Sequence, residues 1–174
     1  MLDTSQAKDR IVAVALASAL AVLLGAGAVA HADDAGKASG TPGWALYEPS
    51  QIDWQPAPAS LQPGAKVAVL DGDPAKEGFF TMRLLLPDGY KVQPHWHPNP
   101  ERVTIVSGTL HLGHGDRFDP AQAKALPAGT YSSMQPKMTH FAWAEGETVL
   151  QLSTMGPWQI VYVNPADDPR QKAK

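Results

Sequence analysis

The sequence has 174 residues, 18% of them charged and 44% hydrophobic, with a formal net charge of −3. These proportions describe one ordinary globular domain and exclude a disordered or fibrous chain. The charge is small and forms no run of one sign, which excludes a nucleic-acid groove and a basic membrane-surface helix and leaves small molecules, or further copies of the chain, as partners.

Residues 11–30, IVAVALASALAVLLGAGAVA, carry no charge and follow Lys8 and Arg10, the order of an export signal. Small residues at Ala28, Ala30 and Ala32 offer cleavage after Ala30 or Ala32, and residues 1–32 are read as a signal peptide. A retained transmembrane anchor is the alternative, because the uncharged run reaches the length of a spanning helix. Cleavage after Ala32 removes two basic and two acidic residues and leaves the charge balance unchanged. The expected location is the periplasm or the exterior, without stable membrane association of the cleaved chain. There is no cysteine, so core packing, a metal or a partner chain must do what disulfides often do in exported proteins.

Residues 33–60 are rich in Pro, Gly, Ser and Ala, with Trp44, Tyr47, Ile52 and Trp54 spaced among them. The prolines forbid a helix interior and the aromatics predict an arm lying on an apolar surface of its own or a neighbouring subunit. Beyond it, short apolar runs alternate with turns: KVAVL, FFTMRLLL, RVTIV, TLHL, TVLQLSTM and WQIVYV. These predict strands. The prolines and glycines of LPDG and LPAG suit the second and fourth positions of type I turns, SG and GHGD separate further strands, and only residues 120–126 read as a helical turn. The fold class is all-β, a sandwich or barrel over residues 61–165, with a tail at 166–174.

The stretch QPHWHPNPERVTIV carries the chemistry. In an extended chain His95 and His97 project to one face and Trp96 to the other. After the bend at PNP, Glu101 shares a face with Val103 and Ile105, and His140 lies downstream before a strand expected to begin near Thr148. Three imidazoles and a carboxylate suit a borderline divalent transition metal, Fe, Mn, Zn, Ni or Cu. The bland alternative is a pair of surface histidines. His111 and His114 are read as exposed and structural.

GYKVQPHWHPNPERVTIVSG resembles the first signature of the cupin superfamily without a gap: Gly89, His95, His97, Glu101 and Gly108 stand at its spacing. The second signature is matched at Pro127 and Gly129, whereas its His is displaced to His140 and its Asn position is Ala144. A strand and turn over TYSSMQPKMT accounts for the displacement, as in cupins similar to the domain of ChrR-type anti-sigma factors. The resemblance implies a cupin-like double-stranded β-helix, or jelly-roll barrel, with a metal held by His95, His97, Glu101 and His140. It further implies pairing into a homodimer through barrel faces and N-terminal arms.

Arg83, Gln93 and Trp143 are the candidates to face the same interior and bind substrate, with a surface position on a half-exposed strand as the other reading of Arg83, and Phe141 and Tyr131 are candidates to line its mouth. The activity expected is that of a dioxygenase or related oxidase, with Fe or Mn favoured and Glu101 as base, acting on a small enolisable or carboxylated compound. The other reading is a non-catalytic binding or oxidant-sensing module with a structural metal.

Overall fold

The structure is a computed structural model and describes residues 44–172. The expected signal peptide, residues 1–32, and the start of the expected arm lie outside the described residues. Among the described residues no helix is long and apolar enough to cross a membrane.

Nine strands dominate the described residues: β1 (Gln55–Pro56), β2 (Lys66–Asp71), β3 (Gly78–Leu86), β4 (Lys91–Trp96), β5 (Glu101–His114), β6 (Ala123–Pro127), β7 (Tyr131–Met134), β8 (His140–Gly156) and β9 (Val161–Tyr162). All pairings are antiparallel, in the path β1-β2-β3-β8-β4-β9, with β5 joined to β6, β7 and β8. The chain is therefore all-β and a jelly roll, although its hydrogen-bonded path does not close into a ring.

The two longest strands organise the fold. One edge of β8 pairs first with β4 and then with β3, and its other edge pairs with β5 along most of its length. Expectation placed a turn at Ser107–Gly108 and divided β5 in two. The chain instead continues through a bulge there, with Gly108 at φ +75°. A Cβ on Gly108 would stand 2.5 Å from the Glu147 carbonyl oxygen, so glycine lets the strand bend without leaving its partner. Strand β8 likewise begins at His140, earlier than Thr148, and passes its own exposed bend at Gly146.

The prolines and glycines do form turns, displaced by one residue from expectation. Tyr90 N–H donates to the Pro87 carbonyl and Thr130 N–H to that of Pro127. Gly89 and Gly129 thus occupy third positions at φ +70° and +87°, where a side chain would be strained. The expected helical turn at 120–126 is a 3-10 turn over Pro120–Gln122 that runs into β6. Of WQIVYV, only Val161–Tyr162 is strand.

Alternation along β3 points Phe80, Met82, Leu84 and Leu86 inward, where they join Ile105, Leu150 and Leu152 in the core. Each such side chain contributes about 1.5–3 kcal/mol by leaving water. The end of the arm adds β1 to the sheet, and the Tyr90 and Tyr162 hydroxyls fasten the chain after it by donating to the carbonyls of Gln62 and Ser60. At the other end, the short helix α1 (Pro169–Lys172) carries Arg170, which donates to the Ile160 carbonyl while held by both oxygens of Asp168.

Candidate metal centre

His95, His97, Glu101 and His140 come together inside the fold, each at most 6% exposed. A bulge in β4 makes this possible. Val92 pairs with Ala142, yet three residues later His95 pairs with His140, two residues back, so one extra residue lies on β4. The bulge interrupts the alternation, and both Val92 and His95 turn into the interior. Glu101 enters from the start of β5, with Val103 and Ile105 on the same buried face.

Candidate ligand atoms of His95, His97 and His140 lie within 4.8 Å of one another. Each ring's Nδ1 faces a main-chain carbonyl: His95 that of Gln93 at 2.7 Å, His97 that of Gln159 at 2.7 Å and His140 that of Met138 at 2.9 Å. A carbonyl oxygen only accepts, so each Nδ1 carries the hydrogen and each Nε2 presents a lone pair. Glu101 faces two of these atoms, with Oε1 3.3 Å from His97 Nε2 and Oε2 3.6 Å from His140 Nε2.

Electrostatics keep this set ready to ligate. Burial, and then the neighbouring His140 and His97, hold His95 well below the ordinary histidine range. Burial also lowers His97, against the pull of Glu101. Burial works to raise Glu101, but His97, His140 and the Trp158 indole together outweigh it and hold the carboxyl below its usual range. His95 and His97 thus favour the neutral imidazole and Glu101 the carboxylate.

His97 Nε2 is buried and has no hydrogen-bond partner. An orphaned acceptor is costly in a dry interior, and a cation among three imidazole nitrogens and a carboxylate oxygen removes the cost. The residues present therefore fit a divalent transition metal.

The cluster lines part of a cavity of about 60 Å³, several times the roughly 10–15 Å³ that one water needs. Its other walls are aliphatic or aromatic and include Leu61, Leu86, Val103, Met134, Ala142 and Trp158, with no Lys or Arg among them.

Three expected substrate contacts lie elsewhere. Arg83 has the opposite parity to the inward residues of β3, and its Nε donates to Gln151 on the neighbouring strand. Gln93 sits within the β4 bulge and serves the site through its carbonyl. Trp143 faces away from His140 and stacks on His111, ring centroids 4.3 Å apart and planes 4° apart. Phe141 packs under Phe118, and Tyr131 is exposed. His111 is bound to Glu145 at 2.6 Å, and His114 is exposed at the end of β5.

Sequence reasoning missed Trp158, whose ring lies 14° from the plane of His97 at 6.0 Å. It read as one residue of a strand, and no local signal marks it. The carbonyl partners were equally hidden, since every residue carries that group.

A family model described as a domain of unknown function (DUF4437) matches residues 35–161. No curated protein matches the chain. Among solved structures, the chain is similar to a candidate acetylacetone dioxygenase from Methylibium petroleiphilum PM1, at TM-score 0.55 and 22% identity over 71% of this chain and 84% of that one. It is similar at the same TM-score to the polyketide cyclase RemF from Streptomyces resistomycificus, with 14% identity over 75% and 92% of the two chains. The complex of SigE with the anti-sigma ChrR from Rhodobacter sphaeroides matches at TM-score 0.47 and 17% identity, over 62% of this chain and 51% of that one. The first two likenesses establish a cupin fold.

Proposed function

Because the chain belongs to the DUF4437 family and folds as a cupin, we propose that it is a metal-dependent oxidoreductase, a dioxygenase or related oxidase. Its substrate would be a small, uncharged, enolisable compound, with O2 as the co-substrate. The observation that carries the reading is the junction of two unlike environments. Three oriented Nε2 atoms and a carboxylate line a cavity whose other side chains, the Trp158 indole apart, are hydrocarbon or thioether.

His95, His97, Glu101 and His140 would hold the metal, with Fe or Mn favoured over Zn, Ni or Cu. When bound it would supply Lewis acidity toward a carbonyl oxygen and, for Fe or Mn, redox capacity. The chain's own residues supply the rest. The aliphatic walls exclude water and select by shape, and a cavity without a basic side chain favours a neutral molecule over a free carboxylate. Glu101 Oε is the one acceptor able to take a proton from a carbon beside a carbonyl, and its depressed pKa keeps it ionised for that task.

Residues 1–32 are proposed as the export signal and the arm at 33–60 as the dimer contact, which makes this a periplasmic or secreted homodimer. The experiment that tests the function is an oxygen-consumption screen with small diketones and keto compounds on Fe- and Mn-loaded protein, beside Glu101→Gln. Turnover lost in the variant supports the reading. Metal held at one per chain with no consumption of O2 by any compound overturns it in favour of a binding module with a structural metal.

A further inference from the structure

Among the side chains lining the cavity, the three histidines commit their Nδ1 hydrogens to main-chain carbonyls, and all others except Glu101 and Trp158 are hydrocarbon or thioether. Trp158 therefore brings the sole uncommitted side-chain donor. Its Nε1 is buried and makes no hydrogen bond of good geometry, like the Nε2 of His97 on which its ring lies. Two unsatisfied buried polar atoms among the residues of one cavity are exceptional.

The backbone holds this indole firmly. Trp158 N–H donates to the Pro74 carbonyl at 2.7 Å, and the next residue, Gln159, gives its carbonyl to His97 Nδ1. Consecutive residues thus touch the same imidazole, one by its ring and one by its main chain. Among the cavity residues the remaining acceptor is the Glu101 carboxylate, because the histidine Nε2 lone pairs face the cluster centre.

We infer that Trp158 is a positioning residue of the metal centre, whose indole N–H closes on the Glu101 carboxylate and aims it at the metal while its ring braces His97. The inference rests on the reading of the cluster as a metal site. It adds a residue outside the four ligands that controls whether the carboxylate ligates.

Co(II) titration of the full chain tests it, with affinity taken from competition against a chelator and coordination from the visible d–d bands. Wild type, Trp158→Phe, Glu101→Leu and the double variant His95→Ala/His97→Ala are compared. The phenylalanine keeps an aromatic ring against His97 and removes the N–H together with the pyrrole part of the indole. The expected result is one Co(II) per wild-type chain, none in the double variant, and about tenfold weaker binding by Trp158→Phe. Its band pattern should shift toward that of Glu101→Leu.

Wild-type affinity and bands in Trp158→Phe overturn the positioning role and leave the metal site standing. No Co(II) uptake by wild type overturns both. Should Trp158→Phe not fold, the indole 1H–15N resonance of Trp158, assigned through its backbone in wild type, decides instead. A downfield proton that moves upfield in Glu101→Leu is the expected result, and an unmoved one overturns the inference.

Discussion

His95 and His140 stand directly opposite each other on β4 and β8, Cα partners with ring centroids 4.2 Å apart. They meet because one extra residue in β4 shifts the pairing between Val92 and His95. With regular pairing, a side chain of the other face would stand where His95 does.

Replacement of His95 and His97 by Ala is expected to abolish metal retention. Elemental mass spectrometry of protein purified without a metal column should find near one divalent metal per chain in wild type and near none in the variant. Equal contents would remove these residues from the site.

Acid should destabilise the metal-free protein. His95 and His97 are held below the ordinary 6.5 and Glu101 below 4.5. In each case the unfolded chain binds protons more readily than the folded one, so stability is full at high pH and falls on acidification. The histidine contribution begins to drop below about pH 6.5, by up to about 1.4 kcal/mol per pH unit for each residue. The carboxylate adds its own loss below about pH 4.5. Urea unfolding midpoints at pH 7.5 and 5.5 check the first window, and a midpoint that rises on acidification would contradict it.

Gly108→Ala is expected to cost about 2–4 kcal/mol, from the left-handed backbone and from the collision with the Glu147 carbonyl. Gly129→Ala has a positive φ but open space and should cost only about 1–2 kcal/mol. Equal losses in denaturant melts would show that the close approach at Gly108 contributes nothing.

Much of this arrangement was legible in the sequence. His95, His97 and Glu101 stand out through their resemblance to the cupin signature, and alternation over Glu101, Val103 and Ile105 gave the inward face of β5 correctly. Failures occurred where alternation is the wrong guide. On β3 the run FFTMRLLL is apolar at both parities, so alternation does not choose the inward face, and packing turns Phe80 and Met82 in and Arg83 out. In β4 the bulge returned Gln93 to the outer side. Trp143 lies three residues along β8 from His140, and three residues along a strand change the face. The long bends in β5 and β8 looked like turns because Gly serves both purposes.

Arg170→Ala is expected to weaken metal binding from a distance. Arg170 ties α1 to the Ile160 carbonyl, and the adjoining Gln159 carbonyl orients His97. Loss of that tie should loosen His97 and lower metal affinity up to about tenfold in chelator competition, with β content unchanged by circular dichroism. Unchanged affinity would show that β9 and its neighbours hold Gln159 unaided.

The histidines are aimed by peptide oxygens of Gln93, Met138 and Gln159. No substitution deletes a peptide carbonyl, so those three positions can change identity freely as long as the main-chain path persists. A centre oriented this way tolerates extensive sequence drift around it, and its descendants can acquire new cavity walls, and with them new substrates, while keeping the same ligand geometry.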